Sequence, residues 1–201
     1  MSEPLLVDAI QGRDHNHFQG ADGQASAVRR VVTGVSTHGE PQIVSDGPPP
    51  RSRAHVAVPG MVNSVVWATA APPESGYRDL TPDLVTLVPG AGETVALLVT
   101  FPPDTVFADP LFDGPKAARE QMEITPGLAE LFEQDNPGFH TTPTVDYGVV
   151  VSGEVVLDLG SATTVLRQGD IIVQNGTRHA WRNHTDQPAT VFFVLIGRKP
   201  A

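Results

Sequence analysis

The chain has 201 residues, 40% of them apolar and 18% charged, with a formal net charge of −10 and no cysteine. That length suffices for one large domain or a domain with an arm, and the acidic balance repels phosphate backbones and anionic lipid surfaces, so neither nucleic acid nor a membrane is an expected partner. The absence of cysteine removes disulfides, thiol nucleophiles and cysteine-type zinc sites, while 19 glycines and 19 prolines favour many short strands and turns over a helical bundle.

The opening stretch MSEPLLVDAIQGRDHNHF lacks the basic start and long apolar core of a secretory signal. No apolar run approaches the roughly 20 residues that a membrane helix needs, so a soluble, cytoplasmic protein is expected. Residues 1–26 are polar and aperiodic and read as a flexible tail. The HxH inside DHNHF (14–18) is a weak metal signal in such a setting.

Residues 28–47 carry two β-rich runs around the turn-like THGE, the pattern of a hairpin. SDGPPPRSR follows, and its three prolines exclude both helix and central strand. MVNSVVWATA (61–70) reads as a further strand, and ETVALLVTFPP (93–103) as a buried one. Helices are expected only within 115–135, one of them with Thr125 as N-cap, Pro126 in the first turn, and Leu128, Leu131 and Phe132 on one face. Beyond Asn136-Pro137-Gly138 come six short strands, near 145–151, 154–159, 162–167, 170–174, 178–183 and 189–197. The expected fold is all-β, an antiparallel barrel with an N-terminal β-arm and a short helical insert. The expected division is 1–26 tail, 28–92 N-terminal β-extension packing on the barrel or on a partner subunit, and 93–199 barrel.

Two segments carry the chemistry: GFHTTPTVDYGVVVSG (138–153) and GDIIVQNGTRHAWRN (169–183). His140 and Thr142 are two apart and share a strand face. Pro143 bends the chain so that Asp146 returns beside them. His179 opens an outgoing strand with Trp181 and Asn183 on its face. If the two hairpins curl together, His140, Asp146 and His179 converge. A lone histidine is more often a satisfied core residue, but two such segments outweigh that bland reading. A buried Asp146 needs a partner or a proton, because an unpaired carboxylate is costly away from water.

These segments resemble the two motifs of the cupin superfamily, small β-barrels of jelly-roll type with a pocket inside. The family pattern runs glycine, His-x-His, glutamate and glycine, then later glycine, Pro-x-Gly, histidine and asparagine. His140 stands at the first histidine, Asp146 at the glutamate and Gly153 at the closing glycine, while Gly169, Gly176, His179 and Asn183 follow the second motif. The departures are Thr142 at the second histidine, Asp146 for glutamate and Gln174 in the proline region. The resemblance implies His140, Asp146 and His179 as the catalytic and metal-ligating set. It implies a divalent metal (Zn, Fe or Mn) where that set binds one, and a metal-free acid–base pocket where it does not.

Thr142, Gln174, Trp181, Tyr147 and Phe139 are the expected pocket-wall residues, and the aromatic ones serve equally well as packing. Arg178 and Arg182 are candidates for the pocket rim. A homodimer and a small-molecule substrate are the partners the resemblance implies. The reaction expected is non-redox (dehydration, decarboxylation, isomerisation or cyclisation) on an organic acid, polyketide-like or aromatic intermediate. One histidine would act as base, the other as acid, and Asp146 would fix a tautomer. An Fe(II)-dependent dioxygenase and a non-catalytic ligand-binding protein are the rival classes.

Overall fold

A computed structural model of the chain describes residues 28–73 and 78–199. The tail at 1–26, with its HxH, lies outside the described residues. The fold is all-β, as expected. Eleven strands occur among the described residues: β1 (Arg30–Val35), β2 (Pro41–Gly47), β3 (Arg51–Ala54), β4 (Val62–Thr69), β5 (Thr94–Phe101), β6 (Thr144–Ser152), β7 (Glu154–Asp158), β8 (Thr163–Arg167), β9 (Ile171–Gln174), β10 (Ala180–Arg182) and β11 (Ala189–Gly197). A six-stranded sheet has the order β3-β4-β5-β11-β6-β9, a three-stranded sheet the order β10-β7-β8, and β1-β2 form a hairpin of their own.

The centre of the large sheet is set by hydrophobicity. β5 buries Val95, Leu97, Leu98 and Val99, and β11 alternates buried Val191, Phe193 and Leu195 with half-buried neighbours. These two strands pair over eight residues, from Ala189↔Phe101 to Ile196↔Thr94. On the other side of β11, β6 buries Thr144, Asp146 and Val150 and leaves Tyr147 exposed, a period of two that fixes which residues face inward. Val155 of the small sheet joins Val65, Leu97, Val150, Val191 and Phe193 in one core, so the core lies between the sheets.

Part of the N-terminal extension joins the barrel's own sheet. β4 pairs with β5 along most of its length, and Val65, Ala68 and Leu87 belong to the same core. The boundary expected at 92/93 therefore falls inside a continuous sheet. The proline-flanked β3 occupies the sheet's edge, where a missing donor costs no ladder bond. The β1-β2 hairpin is tied down by Arg30, which pairs with Asp79 at 2.8 Å and donates to the Val66 carbonyl at 3.3 Å.

An α-helix lies in the expected region, but the one expected to open at Thr125 does not form. α1 (Gly114–Ile124) is capped by Asp113, whose carboxylate accepts from Lys116 N, with Pro115 in the first turn. Thr125 closes the helix instead of opening one. Its N–H donates to the Gln121 carbonyl, and Gly127 at φ +80° turns the chain away. Leu128, Leu131 and Phe132 then sit on or beside a single 3-10 turn (Ala129–Leu131) rather than on an α-helix. Among the described residues no helix is long and apolar enough to cross a membrane.

Candidate functional site

The site begins with a backbone contact. His140 and His179 face each other in an isolated antiparallel bridge, His140 N donating to His179 O at 2.9 Å and His179 N to His140 O at 3.0 Å. Directly opposed residues of such a pair carry their side chains on the same face. The two rings are accordingly adjacent, with centroids 4.3 Å apart and planes at 49°.

Each ring is oriented by its own chain. His140 Nδ1 lies 3.2 Å from the Gly138 carbonyl, and His179 Nδ1 lies 2.9 Å from that of Thr177. A carbonyl only accepts, so each Nδ1 carries the proton and each Nε2 keeps its lone pair. Aromatic neighbours fix the rings further. Phe132 packs on His140 at 4.5 Å between centroids, and Trp181 meets His179 edge-on at 5.9 Å and leans on Phe193 at 5.3 Å.

The histidines open onto a cavity whose empty space, adjoining open solvent included, is about 610 Å³. Its wall is mainly apolar, built from the inward side chains of β5 and β11 with Phe132 and Trp181. Asn63, Gln121, Thr142, Asp146 and Gln174 are its polar members besides the histidines. Asp146 and Gln174 are register partners across β6 and β9. The Thr142 hydroxyl accepts from Thr144 at 2.7 Å, and Gln174 Nε2 donates to the hydroxyl and carbonyl of Thr177, joining the wall to the loop that holds His179.

Both rings are neutral at physiological pH. Burial pushes His140 down to about 4, the neighbouring His179 adds to the drop, and the Gly138 carbonyl opposes it only in part. His179 is also lowered, again by burial, against the contrary pull of the Thr177 carbonyl. Asp146 goes the other way: burial raises it to about 6, opposed by the Thr144 hydroxyl and the charge of Arg198. Its Oδ1 is buried and has no hydrogen-bond partner among the described residues.

The cavity thus brings together His140, Asp146, His179, Thr142, Gln174 and Trp181. It leaves out two expected wall residues. Tyr147 sits on the opposite face of β6, 51% exposed and across from Val173, because it is one residue out of phase with Asp146. Phe139 is buried outside the cavity beneath Arg178, whose guanidinium lies 3.8 Å from the ring centre. Arg178 is occupied by a two-point bond to Glu133, and Arg182 lies 3.8 Å from Asp158, so neither reaches into the cavity. Asn183 is structural: its amide donates to the carbonyls of Phe101 and Gln187, and its oxygen accepts from Thr185. Asp146 makes no hydrogen bond to either histidine, so backbone carbonyls select the tautomers in its place.

The resemblance implies a metal, and the donor set does not fit one well. Among the described residues no three histidine, cysteine or acidic side chains are grouped as metal ligands. Thr142 stands where a second motif histidine would, and its oxygen is already engaged by Thr144.

Sequence reasoning missed Phe132, assigned to a helix face, and Asn63 and Gln121, which also line the cavity. The isolated polar Asn63 within the apolar run VNSVVWA was the available signal.

The Cupin_2 family profile, described as a cupin domain, matches residues 128–195. Phomopsin biosynthesis cluster protein D of Diaporthe leptostromiformis is 48% identical over 82 residues, 39% of this chain and 39% of that protein. Oryzines biosynthesis cluster protein J of Aspergillus oryzae is 41% identical over 66 residues, 32% of this chain and 37% of that protein. The cupin-domain-containing oxidoreductase srdB of Neurospora crassa is 40% identical over 88 residues, 41% of this chain and 45% of that protein. The chain thus spans less than half the length of these relatives. With both motif segments inside the matched region, residues 128–195 of the chain are a cupin domain.

Proposed function

We propose that the chain is a biosynthetic enzyme that moves protons on a small, largely apolar intermediate of polyketide or aromatic type, in a dehydration, isomerisation or cyclisation. The single observation carrying this reading is the pair of neutral imidazoles, both presenting Nε2 lone pairs to an apolar cavity that also holds a partnerless carboxyl oxygen. A resting ring with its proton on the carbonyl side cannot donate into the cavity, so the histidines serve as acceptors and base. His179 Nε2 takes a proton from the substrate. Asp146, held partly protonated by its surroundings, is the acid that supplies one to the departing hydroxyl or to carbon. The net result is one proton removed and one returned, with solvent restoring both groups. Membership of relatives in fungal biosynthesis clusters supports a biosynthetic role.

The organic-acid part of the expected substrate range is dropped from this reading. No lysine or arginine lines the cavity among the described residues, so a substrate carboxylate would be buried without a counter-charge.

Deuterium uptake from D2O into enolisable aryl ketones, read by mass spectrometry, tests the proposal. Wild-type protein should catalyse exchange, and His179→Ala should lose it by about 100-fold or more while its unfolding midpoint changes little. Exchange equal in the two proteins would defeat the assignment. A second reading, an Fe(II)-dependent dioxygenase, is favoured by the oxidoreductase names of relatives such as srdB, and it predicts dioxygen consumption after anaerobic iron loading instead. The proposal includes a homodimer: Val31, Val35 and Ile43 of the hairpin and Tyr147, Ile171 and Val173 of β6 and β9 supply exposed apolar surface for a second copy.

A further inference from the structure

A second polar station lies on the cavity wall far from the histidines. Asn63 of β4 is buried yet lines the cavity, and its Oδ1 lies 2.8 Å from Nε2 of the buried His55. An amide oxygen only accepts, so His55 carries its proton on Nε2 and the Asn63 amide is locked in one flip state. Its NH2 group is left as a donor with no partner among the described residues. His55 is itself held by its loop: Glu120 of α1 accepts from Val56 N and Ala57 N, both at 2.7 Å, and His55 N donates to the Met61 carbonyl at 2.9 Å. The His55 Nδ1, buried and unbonded, lies 4.0 Å from Glu120. Burial lowers the pKa of this ring and keeps it neutral.

We infer that the substrate carries a carbonyl-type oxygen received by the Asn63 amide, at the opposite end of an uncharged, elongated molecule from the group that meets the histidine pair. Three strand steps (β4 to β5, β11 and β6) separate Asn63 from Asp146 in the large sheet. At ~4.8 Å per step their strands lie about 14 Å apart along the curved sheet, and Asn63 is in register with Val150, four residues along β6 from Asp146. Between the two stations the wall offers Leu97, Val99, Phe193 and Leu195, which match an apolar middle. The donor at Asn63 complements the acceptors at the other end, so the cavity distinguishes the two ends of its ligand. His55 is a positioning residue: it touches no ligand and acts by holding the amide. This rests on the cavity being the substrate site described above.

Two probes separate the claims: para-octylphenol, and the same phenol with a ketone at the penultimate carbon of its chain. Binding is read by quenching of Trp181 fluorescence in Trp67→Phe protein, with calorimetry as a check. The parent protein should bind the ketone at least about fivefold more tightly than the plain phenol. Asn63→Ala and His55→Ala should lose that preference, and His55→Gln, which can keep an N–H near the Nε2 position, should restore part of it. His179→Ala should weaken both probes equally. A parent protein that binds para-octylphenol in a His179-dependent manner but shows no preference for the ketone overturns the inference and leaves the proton-transfer reading standing. An Asn63→Ala protein that retains the preference does the same. Binding of neither probe, or binding indifferent to His179, defeats both. The parent's own preference decides the matter even where a variant fails to fold.

Discussion

Asp146 is the residue at which function and stability conflict. Its folded-state pKa of about 6 lies above its ordinary 3.8, so the folded protein holds this proton more tightly than the unfolded chain does. Its contribution to stability is therefore present at low pH and lost as pH rises from 3.8 through about 6. At 1.36 kcal/mol per unit the loss is on the order of 2–3 kcal/mol by neutral pH. Asp146→Asn, which keeps the shape without the charge, should raise the unfolding free energy by about that much at pH 7 and by nothing near pH 3, while abolishing proton transfer. Denaturant titrations at the two pH values check this; a variant less stable at pH 7 would show that the carboxylate has a partner. His140 contributes with the opposite sign: its stability share is lost as pH falls from 6.5 through about 4.

The elements show what a sequence reader could and could not see. Strands were legible because alternation and Gly-containing turns are local signals: β5, β6 and β11 fall within a residue or two of their expected bounds. The helix expected from Thr125 did not form, although two capping signals lie within twelve residues of each other. Asp113-Gly114-Pro115 won over Thr125-Pro126, since Gly127 takes a left-handed φ that an α-helix cannot continue through. The histidines were legible from their spacing, but their tautomers were not. Those depend on carbonyls of Gly138 and Thr177 whose orientation only the folded loops define. The turn between β6 and β7 makes the element-scale prediction. Gly153 has φ +74°, and a Cβ there would lie 2.8 Å from the Pro188 carbonyl oxygen and 2.8 Å from Ala189 Cα. Gly153→Ala should therefore cost at least about 2 kcal/mol from the left-handed backbone and the clash together. A loss below about 0.5 kcal/mol in thermal unfolding would mean the turn relaxes freely.

At the scale of the whole molecule, two sheets enclose one core, and the bridged histidines line the cavity. Tyr147 and Val173 lie on the face of the large sheet opposite Asp146 and Gln174, so association of two copies through that face would leave the cavity intact. Light scattering at micromolar concentration should give twice the chain mass, and Ile171→Lys should shift it toward monomer. A monomer at all concentrations would contradict the homodimer. Everything proposed about chemistry depends on the state of two rings in the folded protein, before any substrate is known. Long-range 1H–15N correlation spectra of the imidazoles, recorded from pH 4 to 8, read that state directly. The account predicts Nδ1-protonated, Nε2-bare signals for both His140 and His179 at neutral pH, with His140 protonating only near pH 4. A proton on Nε2 of either ring, or a His140 that titrates at an ordinary value near 6.5, would contradict it.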